Sequence, residues 1–197
     1  MQLKITGINK NNTQGYYTNM KHIINGKSAY SSDSLLQYLL NEIQPGSSIL
    51  DLGCGPKLYS SPFKARGDVV LSVDAWSEVE PDVIADLEKQ DILEVIDKQY
   101  DYVLMLDFIE HLDKSAGIDL IKKCKTVATK KVILLTPLEQ IWDDNSKNVN
   151  NEVLWCFGNV FDLHKSLWTL EDFSGWTRID LAELNDYFVG YYTSQSE

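Results

Sequence analysis

Apolar residues along this chain fall into two kinds of pattern. In the first, Leu35, Leu36, Leu39, Leu40 and Ile43 recur at helical spacing. Ser31, Ser32 and Asp33 supply cap-type residues ahead of them and Pro45-Gly46 stop the pattern, so a helix is predicted between these signals. In the second, short continuous runs are rich in β-branched residues: Ile49-Leu50 on to Leu52, Val69 to Val73, Val83-Ile84, Tyr102 to Leu106, and Val132 to Leu135. Runs without polar alternation are expected of parallel strands buried on both faces. Between the last two, Ile118, Ile121, Cys124 and Val127 recur every third residue, one helical stripe with lysines beside it. Strands alternating with helices predict a doubly wound, mostly parallel α/β sheet. At the end, Trp176 to Leu184 and Tyr187 to Thr193 read as two strands joined at Asn185-Asp186, an antiparallel C-terminal hairpin.

The remaining stretches lack a period. Residues 1–30 are polar and read as an arm or lid, leaving 31–197 as the core of a single domain. Within that core, residues 137–168 form a long segment with Trp142 and the Asn-rich NSKNVNNE, expected on the substrate side. A length of 197 residues suits one domain. The balance of 18 Lys plus Arg against 29 Asp plus Glu, a net charge of −11, disfavours partners that offer phosphates, whether nucleic acid or anionic lipid. The three cysteines, Cys54, Cys124 and Cys156, form no CxxC pair and show no disulfide framework. No apolar run approaches the ~18 residues of a membrane span, so a cytoplasmic protein without membrane insertion is expected.

The chemistry begins at SSILDLGCG, where a strand runs into Asp51, Gly53 and Gly55. Glycines at the carboxyl end of such a strand let a ligand approach the backbone, and a following helix start would offer free N–H groups. Asp74 ends the next strand, nineteen residues after Gly55, near the offset at which an acid meets ribose hydroxyls. A dinucleotide site would need a third glycine where Leu58 stands, which disfavours a dehydrogenase, and no GK[ST] exists for a P-loop.

With these residues the chain resembles the class I S-adenosylmethionine-dependent methyltransferases of the small single-domain type. The matching segments are ILDLGCG at 49–55, VVLSVDAW at 69–76, DVIADLE at 82–88, YDYVLMLDFIEHL at 100–112, KKVILLTP at 130–137 and, more weakly, HKSLWTLEDF at 164–173. Together they cover roughly residues 31 to 193 in the family's order. The resemblance implies a Rossmann-like, seven-stranded sheet and methyl transfer that leaves S-adenosylhomocysteine. It implies that Asp51, Gly53, Cys54 and Gly55 hold the methionine part of the cofactor and that Asp74 accepts the ribose hydroxyls. Ala75 and Trp76 would lie beside the adenine, Asp86 and Leu87 at its edge, and Met105, Leu106 and Asp107 under the sulfonium. Asp86 also suits a cap for a helix over LEKQDILEVI. The chain departs from the family at Pro56-Lys57-Leu58, where many relatives carry another small residue.

At the mouth, Asp107, Glu110 and His111 follow the fourth strand as D-x-x-E-H, and His164 opens a later segment. An acceptor hydroxyl must lose its proton, and a histidine suits that task, so His111, His164 and Asp107 are the catalytic candidates. Some relatives acting on catechol-like rings or on the terminal 2′-hydroxyl of small RNAs hold a divalent metal with E-x-x-E-H. By that resemblance Asp107, Glu110, His111 and His164 are candidate ligands for Mg, Mn or Fe, although the first position here is the shorter Asp. Tyr30, Trp142 and Trp168 are candidates for an aromatic acceptor pocket. The expected function is methyl transfer to a hydroxyl, less readily an amine, of a small or medium-sized acceptor. The alternatives are a metal-assisted RNA-terminal 2′-O-methyltransferase, which the charge disfavours, and a non-catalytic nucleoside-binding module.

Overall fold

The computed structural model describes residues 19–24, 27–138 and 159–194. A hairpin of β1 (Asn19–Ile24) and β2 (Lys27–Ser32) stands apart as a two-stranded antiparallel sheet and runs straight into α1 (Asp33–Glu42). The arm expected at 1–30 thus contains a strand pair that extends two residues further. Ser32 caps α1, its hydroxyl accepting from the Leu35 N–H at 3.2 Å. Then come β3 (Ser48–Leu52), α2 (Ser61–Arg66), β4 (Val69–Asp74), β5 (Val83–Ile84), the single turn α3 (Ile92–Val95), β6 (Tyr100–Leu106), α4 (Lys114–Val127), β7 (Ala128–Pro137), β8 (Thr177–Arg178) and β9 (Tyr187–Thr193).

Seven strands form one sheet in the order β5-β4-β3-β6-β7-β9-β8, with β9 antiparallel to both neighbours and the rest parallel. The doubly wound α/β class with an antiparallel end is borne out. The apolar runs are continuous because each strand feeds two cores. On one face Leu50, Leu52, Val103, Met105, Val132 and Leu134 meet α4, while on the other Ile49, Tyr102, Leu104, Ile133 and Leu135 meet α1 and Phe63. Connections diverge on either side of β3 and β6, which opens a crevice at their carboxyl ends.

Three details differ from expectation. The buried stripe of α4 is Gly117, Leu120, Ile121, Cys124 and Val127, and Ile118 is 38% exposed, because a strict three-residue spacing drifts off one face of a 3.6-residue helix. Gly117 lies under Trp168, whose ring would be 2.8 Å from an added Cβ. The C-terminal hairpin has a first strand of only two residues; a 3-10 turn at Ala182–Leu184 interrupts the rest and tucks Leu184 into the core. Finally, α3 is capped by Asp91, whose side chain accepts from the Leu93 N–H, and not by Asp86. Among the described residues no helix is long and apolar enough to cross a membrane.

Candidate active site

The turn after β3 is built by a few main-chain bonds. Gly53 takes φ +65°, and the N–H groups of Gly53 and Cys54 both donate to the Val73 carbonyl, at 2.9 and 3.1 Å. Gly55 (φ +45°) donates its N–H to one Asp74 oxygen at 2.9 Å, and the other oxygen accepts from the Trp76 N–H at 2.8 Å. One carboxylate therefore ties the ends of β3 and β4 into a single rim. An added Cβ at Gly55 would meet nothing within 4 Å, whereas at Gly53 it would strike the Phe108 ring at 2.2 Å. The expected helix start beside the glycines is absent: Pro56 and the turn to Ser60 delay α2 until Ser61. Lys57 occupies a left-handed conformation in this turn (φ +61°), and its ammonium donates to the Glu80 carbonyl.

Beneath the rim, Asp51 is 4% exposed. Burial raises its carboxyl to about 6, against a hydrogen bond from Ser60 and with a further push from Asp74. Burial likewise pushes the Cys54 thiol up, so it is no thiolate at neutral pH. Ala75 and Trp76 are partly exposed just past β4. Asp86 accepts from the Glu88 N–H at 3.1 Å and pairs with Lys89 at 2.7 Å, while Leu87 is core. Met105 and Leu106 bury their side chains, so they can border the crevice only through main chain.

Asp107 turns sharply out of β6 at φ +51°, its N–H donating to the Leu135 carbonyl at 3.0 Å. The residue is exposed, yet the surrounding protein and Asp162 push its pKa up. Behind it, Glu110 is 1% exposed and accepts from the Thr136 hydroxyl at 2.9 Å. The Glu110 carbonyl accepts from the N–H groups of Lys165 and Ser166, at 2.7 and 3.1 Å, which brings the His164 segment against the end of β6. The rings of His111 and His164 meet edge to face at 4.6 Å. Glu110, His111 and His164 bring donor atoms within 4.8 Å of one another. Asp107, the fourth of the expected metal ligands, is not in that group.

Burial lowers His111 to about 4 and His164 to about 3, so both imidazoles are neutral at pH 7. Burial raises Glu110 well above the carboxylate range and Asp162 to about 6, with Asp74 adding to the latter. Asp162, whose Oδ1 lies 3.5 Å from His111 Nε2, escaped the sequence reading, as did Phe108 and Thr136. The one available signal was that Asp162 stands two residues before His164. Trp168 is 1% exposed, donates its indole N–H to Ser166 Oγ and stacks near Phe173, so it is core and not an acceptor wall. For Tyr30 only the backbone, in β2, is described, and Trp142 lies outside the described residues.

A family model for a methyltransferase domain matches residues 24–172, most of the chain. The chain belongs to this family. The expectation of an S-adenosylmethionine-dependent methyltransferase is borne out, and the fold agrees. The methyltransferase is similar to a solved protein from Pyrococcus horikoshii (TM-score 0.60, 17% identity, covering 83% of this chain and 89% of the other). It is also similar to magnesium protoporphyrin IX methyltransferase from Synechocystis, solved with S-adenosylhomocysteine (0.57, 16%, covering 83% and 81%). A third is the N-methyltransferase NodS from Bradyrhizobium japonicum (0.55, 8%, covering 83% and 94%). No curated protein matches the methyltransferase.

Proposed function

We propose that this methyltransferase moves the methyl group of S-adenosylmethionine to a hydroxyl of a small or medium-sized acceptor. The observation that carries the cofactor placement is the joint between Gly55 and Asp74, which sets an open glycine backbone beside a strand-end acid. Asp51, Gly53, Cys54 and Gly55 take the methionyl end, Asp74 the ribose, and Ala75, Trp76, Asp86 and the Leu87 main chain the adenine. The main chain of Met105 and Leu106 and the Asp107 carboxylate lie under the sulfonium. Displacement at a sulfonium needs alignment above all, and removal of the acceptor proton. Asp107 is the exposed member of the cluster and takes that proton, with the neutral imidazoles of His111 and His164 as hydrogen-bond acceptors behind it. The arm at 1–30 and the segment 137–168 supply the acceptor side.

Calorimetry with S-adenosylmethionine and S-adenosylhomocysteine, followed by methyl-labelled cofactor over a panel of alcohols, phenols and amines, tests this. Binding of both nucleosides and a label on oxygen is the expected result. A label on nitrogen replaces the acceptor assignment, binding without turnover leaves a nucleoside-binding module, and no binding removes the cofactor placement.

The convergence of Glu110, His111 and His164 favours a second reading, in which they hold a divalent transition metal. Two imidazoles and one carboxylate suit Mn, Fe, Co or Zn, and such an ion would polarise an acceptor oxygen. Metal analysis of the purified protein and turnover after chelation decide it: no bound metal and unchanged turnover dismiss this reading.

A further inference from the structure

The proposed cofactor ends in an amino acid, so its site must receive both an ammonium and a carboxylate. The ammonium is easily matched, since Asp51, Asp74 and Asp107 border the crevice. The carboxylate is the difficulty. In glycine-rich turns an anion is commonly met by free main-chain N–H groups, but here those of residues 53–57 are already used. Gly53 and Cys54 donate to Val73, Gly55 donates to Asp74, Pro56 has no N–H, and Lys57 donates its N–H to the Cys54 carbonyl at 2.8 Å. The helix that follows is six residues long and starts only at Ser61.

What the turn does contain is a lysine where a glycine conformation is required. Lys57 holds φ +61°, a backbone that costs a side-chain-bearing residue energy. Its ammonium donates to a main-chain oxygen, that of Glu80, itself left-handed at φ +52°. Among the described residues it forms no ion pair, although its field reaches Asp51 and Cys54 at the floor of the turn.

We propose that Lys57 receives the α-carboxylate of the cofactor's methionyl end and makes the site select nucleosides that carry an amino acid. This rests on the cofactor placement above. The lysine gives up the Glu80 carbonyl for a carboxylate, a charge-assisted bond in exchange for a neutral acceptor.

Calorimetry compares wild type, Lys57→Gly and Lys57→Arg, with S-adenosylhomocysteine and with 5′-methylthioadenosine, which keeps the nucleoside and sulfur and lacks the amino acid. Lys57→Gly suits the left-handed backbone and should fold at least as well as wild type. It should lose about 10- to 100-fold in affinity for S-adenosylhomocysteine, the range expected of a charge-assisted bond. Its affinity for 5′-methylthioadenosine should stay unchanged, and Lys57→Arg should restore most of the loss. Unchanged affinity of Lys57→Gly for S-adenosylhomocysteine overturns the proposal. So does an equal loss for both nucleosides, which would make Lys57 a brace of the turn. Wild-type protein that binds neither overturns the cofactor placement itself, and the proposal with it.

Discussion

Gly53 can be tested together with the ring that covers it. A Cβ at this position would lie 2.2 Å from Phe108 Cδ2, 2.4 Å from Cγ and 2.8 Å from Cβ, all closer than atoms tolerate. The backbone is left-handed as well, at φ +65°. For Gly53→Ala the conformation costs about 1–2 kcal/mol and the overpacking about 1–3 kcal/mol. Reduced chain entropy in the unfolded state returns roughly 0.4–1 kcal/mol. The net loss is therefore about 1–5 kcal/mol, of which only the overpacking depends on Phe108. In a Phe108→Ala background the same substitution should cost no more than about 1–2 kcal/mol. Urea unfolding of the four proteins, followed by far-ultraviolet circular dichroism with unchanged slopes, measures the coupling. Equal costs in the two backgrounds would refute the contact, and a negligible cost in the wild-type background would refute both parts of the reasoning.

Three further outcomes follow from buried groups. Asp51 has its carboxyl raised from 3.8 to about 6, so the folded state holds that proton more tightly. The resulting stabilisation is complete below about pH 4 and is lost as pH rises through 6, leaving at pH 7 an ionised group that costs at most about 3 kcal/mol. Asp51→Asn should thus unfold at higher urea at pH 7, by about 1–3 kcal/mol, with the advantage shrinking toward pH 4; equal stability at pH 7 contradicts this. The Asp68 side chain accepts from the N–H groups of Gly46 and Ser47, at 2.7 and 3.1 Å, and pairs with Arg66 at 2.8 Å, which also reaches the carbonyls of Leu40 and Ile43. Asp68→Ala should cost about 3 kcal/mol in thermal or urea unfolding, and a loss below ~1 kcal/mol would show the junction to be solvated. Trp168→Ala should cost about 3–5 kcal/mol while the folded protein keeps its affinity for S-adenosylhomocysteine; lost affinity in folded protein would return Trp168 to the site.

The parts of the fold that read directly from sequence are those whose side chains have a single job. β6 and β7 show as unbroken apolar runs because alternate residues feed opposite cores, and Leu35, Leu39 and Ile43 show α1 because one face meets one core. Ile118 misleads because any isoleucine suggests burial, whereas the helix places the smaller Gly117 inward to seat a tryptophan that arrives fifty-one residues later. The glycine turn and Asp74 were legible as local spacing. Asp162 and Thr136 were not, since their partners His111 and Glu110 are met only after the chain folds back. The interruption of the last hairpin comes from Leu184 and Glu183, which turn toward α1 and its Ser32 cap instead of extending the strand.

The bridge between Leu138 and Trp168 joins two places thirty positions apart, and the Glu110 carbonyl grips Lys165 and Ser166 just before the second of them. Both places are therefore fastened to the scaffold, whatever length of chain joins them. Joining two fixed points by a flexible segment costs only about 0.6 kcal/mol more for each doubling of its length. Insertions or deletions between positions 139 and 158 would therefore leave the sheet, both anchors and the contacts of Asp162 and His164 with His111 to the residues that already make them.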